Sequence, residues 1–136
     1  MEEENQSDSK KSGHNINSFI NIENVTNNFI SYYFDKITKN KIQELINDKV
    51  LRDYTTIKFN NDKIKCVKLI EFLNRFINYN INITHYNFID SGSRRIDITV
   101  IGTMKKQTEE TNFNQTFTIC NHENTWYIKN SIFVTF

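Results

Sequence analysis

Apolar residues recur at two different spacings along the chain, and the change of spacing separates helices from strands. From Ser18 onward they fall at steps of three and four residues, at Ile22, Val25, Phe29, Ile30, Tyr33 and Ile37. This period predicts an amphipathic helix over residues 19–38. The same period predicts a short second helix that starts near Asn40 and a third helix that starts at Val67.

The second half of the chain alternates apolar and polar residues, which is the pattern of half-buried β-strands. Before it, the β-branched and aromatic run from Asp53 to Phe59 predicts a separate strand. Further strands are predicted over 81–89, 95–104, 112–120 and 125–136, between turn-forming residues. This order predicts an α+β fold, in which three N-terminal helices pack on a strongly curved antiparallel sheet.

Residues 1–17 are rich in acidic, Ser, Asn and Lys residues and contain few apolar ones. Such a segment cannot bury enough apolar surface to offset the entropy lost on ordering. We therefore expect a flexible tail over 1–17 and a single domain over 18–136.

The composition of the 136 residues excludes several classes of protein. A net charge of +1 creates no long-range field, so charge alone implies neither nucleic-acid nor membrane binding. Cys66, Cys120 and three scattered histidines do not have the spacing of a zinc site. There is neither an apolar run of about 20 residues nor the pattern of a secretory signal. We expect a protein of the cytosol or nucleus without a metal or other cofactor.

Apolar side chains occupy both faces of the predicted sheet. In the strand that begins at Ile81, alternation places Ile83 and His85 on one face. Tyr86 and Phe88 lie on the opposite face. One face can cover the helices, whereas the other needs a second polypeptide, so the pattern predicts a dimer formed through the sheet.

The C-terminal region resembles the final hairpin of the nuclear transport factor 2 family. Phe113, Gln115 and Phe117 match the Phe-x-Gln-x-Phe strand of that family. Its second strand is matched by Trp126, Asn130, Ile132 and Phe133, with Ser131 in place of an Asp. Residues 29–34 and 56–60 are similar to the family's aromatic first helix and first strand. The resemblance covers roughly residues 19–136 and implies a cone-shaped fold, and we expect the last strand to end inside the core.

The resemblance implies a non-enzymatic adaptor that moves between nucleus and cytoplasm through the nuclear pore. Phe59 aligns with the aromatic residue that importing members of the family use to contact the Phe-Gly repeats of nucleoporins. An exposed aromatic side chain suits such weak and fast capture. An ordinary core position for Phe59 is the alternative.

The resemblance also implies GDP-bound Ran as a further partner. Glu109 and Glu110 fall in a predicted loop, residues 105–111, roughly where importing members place acids that meet Ran lysines. Phe133 aligns with a residue at the pocket that receives a Ran aromatic side chain. The sequence departs from the importing members at two points: the loop begins with two lysines, and Asn60 stands where those members have an acidic residue.

Two other functions remain open from the sequence. The first is the family's export branch, whose small subunit pairs through the same sheet face with a related domain of an mRNA export receptor. The import function predicts a homodimer, whereas the export function predicts a heterodimer.

The second alternative is a small-molecule isomerase or dehydratase, because similar folds hold an acid and a base in their cavity. The candidates are His85, with Asp97, Asp53 and Tyr33 near the expected cavity. A structural histidine and a solvated Asp97 are the ordinary interpretation of the same residues.

Two further residues have a structural and a functional interpretation. Gln115 lies on the apolar side of its strand, so its side chain must be hydrogen-bonded if it is buried. Trp126 could anchor a bound peptide, although a tryptophan in a terminal strand more often belongs to the core. We expect a structural role for both residues.

Overall fold

The structure, a computed structural model, describes residues 14–65 and 67–136. The elements are α1 (His14–Thr38), α2 (Ile42–Asn47), β1 (Thr56–Phe59), β2 (Asp62–Lys65), α3 (Val67–Leu73), a 3-10 turn (Asn74–Phe76), β3 (Asn80–Gly92), β4 (Arg95–Lys106), β5 (Glu109–His122) and β6 (Thr125–Thr135). The six strands form one sheet in the order β2-β1-β6-β5-β4-β3. The predicted α+β class, with helices packed on a curved sheet, is confirmed.

The sheet differs in two respects from the predicted antiparallel arrangement. Strand β1 runs parallel to β6, with Thr56 beside Asn130 and Phe59 beside Phe133. Strand β2 was not predicted, because Ile64 is its only apolar residue among Asp and Lys. The sheet is therefore mixed, and β1 and β2 form a hairpin at one edge of it.

The N-terminal boundary also differs from the prediction. Helix α1 begins at His14, so the expected domain start at residue 18 falls within the helix. Residues 1–13 of the predicted tail lie outside the described residues. The C-terminal end of the helix, at Thr38, agrees with the sequence pattern.

The core lies between the helices and the inner face of the sheet, and aromatic rings from both sides fill its centre. Phe29 and Tyr33 of α1 each contact the ring of Phe117 edge-to-face, with centroids 5.0 Å apart. Edge-to-face pairs place the positive ring edge on the negative ring face and stabilise beyond the area they bury. These contacts fix α1 across the middle of the sheet.

A β-bulge in β3 changes which residues face the core. Ile83 pairs with Gly102 of β4, whereas the next pair joins His85 to Ile101, which leaves Thr84 as an extra residue. The extra residue shifts the alternation, so the half-buried Ile83 and Tyr86 both pack against the core. The expectation that His85 shares a face with Ile83 was wrong.

Gly102 permits this close approach of β3 to β4. A Cβ atom at residue 102 would lie 2.3 Å from the backbone oxygen of Asn82. Any larger residue would require the backbone of β3 to move away. The glycine thus explains why the strands can pack tightly next to the bulge.

Candidate functional site

The interior of the cone is filled by side chains. The remaining space is about 10 Å³, lined by Tyr33, Phe34, Ile37, Leu73, Phe76, Ile81, Met104, Phe113, Gln115 and Phe133. Ligand pockets of small-molecule enzymes typically enclose a few hundred cubic ångströms. The interior therefore has no room for a small-molecule substrate.

A short chain of hydrogen bonds satisfies the polar groups of this interior. The Gln115 side-chain amide donates to the Ser131 hydroxyl at 3.0 Å, and that hydroxyl donates to the Thr116 carbonyl at 2.6 Å. Burial raises the pKa of the Tyr33 hydroxyl far above its usual value, and the hydrogen bond with Gln115 lowers it only in part. Tyr33 is therefore neutral, and Gln115 has the structural role expected of it.

The structure disperses the candidate catalytic residues. His85 is exposed on β3 beside the bulge, and Asp53 is exposed before β1. Asp97 lies on the outer face of β4, the face turned away from the helices, because its neighbours Ile96 and Ile98 are buried. Of the four candidates, Tyr33 alone lines the interior, so no acid and base meet there among the described residues.

Asp97 organises one end of the outer face. Its carboxylate accepts hydrogen bonds from Ser91 and from Thr118 and forms an ion pair with Arg95. Burial raises the pKa of Asp97, but these three partners outweigh that effect and hold the pKa below its usual value. The group links β3, β4 and β5, which is a structural task.

Phe59 and Phe133, which the sequence assigned to different partners, lie in contact. Their ring centroids are 5.2 Å apart, and Phe59 also packs at 5.0 Å from Phe72. Phe72 and Phe133 are buried, whereas Phe59 is half-buried. The guanidinium of Arg75 lies 5.4 Å above the rings of both Phe59 and Phe72. We call Phe59, Phe72, Phe133 and Arg75 the edge cluster.

Asn60 fastens the end of β1 to the end of β6. Its side chain donates to the Thr135 hydroxyl at 2.9 Å and accepts from the Thr135 backbone at 3.0 Å. Its own backbone amide donates to the Phe133 carbonyl at 3.1 Å. Asn suits this position because the backbone is left-handed there, with φ at 46°. The departure from an acidic residue thus has a structural reason.

The loop expected over 105–111 was wrong, because β4 and β5 continue to a turn at Gln107 and Thr108. Glu109 lies opposite Lys106, and Glu110 lies opposite Lys105. Opposite charges facing each other across antiparallel strands stabilise the pair. The two acids therefore lie on strand β5 beside lysines, and they do not project from a loop.

Exposed apolar side chains form a stripe along the outer face of β6. Ile132, Val134 and Phe136 lie two residues apart, and Ile132 and Phe136 are 49% and 70% exposed. Ile101 of β4 continues the same surface two strands away, since it pairs with Asn114 of β5, which in turn pairs with Val134. We call these four residues the outer stripe. The expectation that the last strand ends inside the core was wrong, because Phe136 faces solvent.

Trp126 is half-buried and packs against the core, as expected. It also borders a groove with Val25, Phe29 and Val50. Within the described residues, three or more His, Cys, Asp or Glu side chains never cluster closely enough to hold a metal ion. None of the described helices has the length and apolar character required to span a membrane.

The comparisons with known proteins agree with this geometry. The model of the nuclear transport factor 2 (NTF2) domain matches residues 25–135, so the chain belongs to the NTF2 domain family. No curated protein sequence matches the chain.

Solved structures share the fold at low sequence identity. Nuclear transport factor 2 from Cryptosporidium parvum superposes with a TM-score of 0.72 at 13% identity, covering 84% of this chain and 94% of its own. A yeast complex of the deubiquitinase Ubp3 and its cofactor Bre5 superposes with a TM-score of 0.69 at 16% sequence identity. The match covers 85% of this chain and 96% of that chain. A scytalone dehydratase-like protein from Novosphingobium aromaticivorans superposes with a TM-score of 0.66 at 8% sequence identity, and the match covers 85% of each chain. The fold alone therefore does not decide between binding proteins and enzymes.

We expect Gln115→Ala to reduce the free energy of unfolding by about 2–4 kcal/mol, because it opens a cavity, removes the hydrogen bond between Gln115 and the Tyr33 hydroxyl, and removes one of the two hydrogen bonds of Ser131. Urea denaturation measures the change. Asn82→Ala, at an exposed position of β3, is the control and should cost less than about 1 kcal/mol. Equal losses in the two variants would contradict a structural role for Gln115.

The lowered pKa of Asp97 predicts a pH-dependent stability. A carboxyl whose pKa is lower in the folded state stabilises above its unfolded pKa of 3.8, and loses that effect as the pH falls through the folded value. The wild type should exceed Asp97→Asn by about 1 kcal/mol or less at pH 6, since the side chain is 34% exposed. In urea denaturation the difference should shrink below pH 4. A difference that is constant with pH would be inconsistent with this role.

Proposed function

We propose that this chain is a non-enzymatic nucleocytoplasmic transport adaptor that acts as a dimer and binds Phe-Gly repeats of nucleoporins. It would work at the nuclear pore, in both nucleus and cytoplasm. The observation that carries the proposal is the distribution of apolar side chains. They fill the interior, where an enzyme of this fold would keep a cavity, and they remain exposed on the outer face, where a partner can bind.

The outer stripe supports a dimer formed through the sheet. Its apolar residues are separated and flanked by Asn114 and Thr116 of β5 and by Lys58 of β1. An apolar centre with a polar surround is the usual composition of a protein interface. A second NTF2-like sheet, which would present the same stripe, is the partner that this surface favours.

The edge cluster supports the capture of phenylalanine side chains. The packing against Phe72 and Phe133 holds the ring of Phe59 in place while part of that ring stays accessible. A phenylalanine from a repeat can pack on the accessible part, and one aromatic contact contributes about 0.5–1.5 kcal/mol. Such weak contacts exchange quickly, as passage through a pore requires.

GDP-bound Ran is the less supported partner. Glu109 and Glu110 each have a lysine directly opposite, which reduces their attraction for lysines of another protein. The space beside Phe133 is too small to receive a further aromatic ring. Binding of Ran therefore stays a prediction. Neither the lysines opposite Glu109 and Glu110 nor the packing around Phe133 favours it.

The geometry favours a binding role over catalysis. The filled interior and the separation of His85, Asp97 and Asp53 oppose the isomerase or dehydratase alternative. The similarity to a dehydratase-like protein extends to the fold alone. The similarity to Bre5, which is described in complex with a deubiquitinase, is in keeping with a protein that binds other proteins.

Replacement of two outer-stripe residues should break the dimer. We expect the double variant Ile132→Asp with Val134→Asp to be monomeric where the wild type is dimeric, because it would bury four uncompensated carboxylates per dimer. Analytical ultracentrifugation should show at least a hundredfold weaker self-association, about 3 kcal/mol. Val67→Asp, at an exposed position on α3, is the control and should remain dimeric.

The same measurement separates the two transport branches. A wild type that dimerises alone supports the import function. A wild type that forms a stable complex only with the NTF2-like domain of an mRNA export receptor supports the export function. A monomer that binds neither itself nor such a domain would contradict the proposed dimer.

Phe59→Ala should weaken binding to immobilised Phe-Gly repeats by about tenfold, because a tenfold change corresponds to the free energy of one aromatic contact. Phe59→Trp, which keeps an aromatic face, should retain most of the binding. Tyr54→Ala removes an exposed aromatic ring that lies before the start of β1, away from Phe59, and should leave binding unchanged. Circular dichroism verifies that each variant is folded. Full binding by a folded Phe59→Ala variant would exclude Phe59 from the site.

A further inference from the structure

A second groove lies away from both the outer stripe and the edge cluster. It has a volume of about 270 Å³ and is lined by Ile46, Leu51, Arg52, Asp53, Val67, Leu69 and Ile70. Asp53 precedes the start of β1 by three residues, and Val67 follows the end of β2 by two. The groove therefore lies at the open end of the β1–β2 hairpin, whereas Phe59 lies at its turn.

Apolar side chains are exposed in this groove, and aromatic side chains lie next to it. Val67 is 80% exposed, and Ile70 beside it is also exposed. Tyr54, 58% exposed, packs at 5.7 Å from Tyr127, and the guanidinium of Arg52 lies 4.5 Å above the Tyr127 ring. Tyrosine and arginine are enriched at the positions that contribute most to protein binding.

Strand β2, which ends two residues before the groove residue Val67, has an unpaired edge. It is the first strand of the sheet order, so its outward side has no neighbour in the described part of the chain. An unpaired edge presents backbone N–H and C=O groups that can pair with an added strand. The edge thus offers backbone hydrogen bonds next to an apolar groove.

The surroundings of this edge are basic. Lys63 and Lys65 on β2 and Lys68 on α3 are all exposed, and they outnumber the exposed acids of the same two elements, Asp62 and Glu71. None of the three has a carboxylate within ion-pair distance among the described residues. Arg52 and Asp53 offset each other in the groove itself, so the excess positive charge lies along the edge.

We propose that the β2 edge and this groove bind an extended acidic segment of a partner protein. The segment adds to β2 as a seventh strand, and its acidic side chains lie near Lys63, Lys65 and Lys68. An aliphatic side chain of the segment enters the groove between Leu51 and Val67. Backbone pairing gives affinity, and the charges and the groove give specificity.

The lysines argue against a second copy of this chain as the occupant. Pairing β2 with another β2 would bring the lysines of both edges together, and like charges facing across strands destabilise the pair. Lysines on an edge strand are a known protection against such self-association. The same charges attract a strand of the opposite sign.

The test uses the full chain and a fluorescein-labelled peptide, Glu-Val-Glu-Leu-Glu-Val-Asp-Glu, measured by fluorescence anisotropy. We expect saturable binding that weakens as salt is raised, since exposed charges are screened. A peptide with lysine at every acidic position, and one with proline in place of each valine, should not bind. No saturable binding of the acidic peptide would overturn the proposal.

Two variants of the chain locate the site. Val67→Asp should weaken binding about tenfold by placing a carboxylate at the groove, and Lys63→Glu with Lys65→Glu should abolish it. Lys129→Glu changes the net charge at an exposed position on β6 and is the matched control. If Lys129→Glu weakens binding as much per lysine replaced as the double variant on β2 does, the peptide is attracted by net charge alone. That result would overturn the proposal.

Hydrogen exchange with and without the acidic peptide tests the pairing itself. Amides of Lys63–Lys65 should become protected about tenfold if a strand adds to the edge. Protection confined to other elements would overturn the proposal.

The acidic N-terminal residues of the chain itself are an alternative occupant of the edge. In that case a variant with Glu2, Glu3 and Glu4 changed to Gln would bind the acidic peptide more tightly than the wild type, and the edge would be assigned to that segment instead. These outcomes are independent of Phe-Gly binding. Because Lys63 lies opposite Lys58, which flanks the outer stripe, analytical ultracentrifugation of the Lys63→Glu with Lys65→Glu variant must also show the self-association of the wild type.

Discussion

The packing of α1 onto the centre of the sheet is the contact on which the remaining structure depends. Phe29 and Tyr33 meet Phe117 edge-to-face, and the Tyr33 ring also lines the small space that remains in the interior. Protein interiors reach crystal-like density, so rings of this size leave no cavity when they interlock. Because the interior is filled, the surfaces that remain for binding lie on the outer face of the sheet and at its edge.

The outward surfaces differ in character. The outer stripe is apolar and flanked by Thr and Asn, which suits the proposed contact with another sheet. The edge cluster offers a single accessible aromatic ring and suits brief contacts. The β2 edge is basic and suits an acidic strand. The three proposed contacts therefore use different parts of the sheet.

The sequence was informative where a pattern repeats. The 3.6-residue period located the C-terminal end of α1, and alternation located the strand over 95–104, in which Ile96 and Ile98 are buried. The bulge at Thr84 could not be foreseen, because one inserted residue leaves the composition of the strand unchanged while it reverses the facing of His85. The contact between Phe59 and Phe133 was equally hidden, since it depends on a parallel pairing of distant segments. The signal that could have indicated the β1–β2 hairpin is the Asn60-Asn61 pair, whose left-handed backbone makes a tight turn.

The clamp between Asn60 and Thr135 joins residues that are 75 positions apart. Closing such a long loop loses chain entropy before any contact compensates for it, which slows the formation of distant pairs. The β3–β6 meander consists of neighbours in sequence and can assemble first. We therefore expect the β1–β2 hairpin to join the sheet late in folding. Until it does, the flank of β6 is an open strand edge, and the nascent chain is most vulnerable to aggregation there.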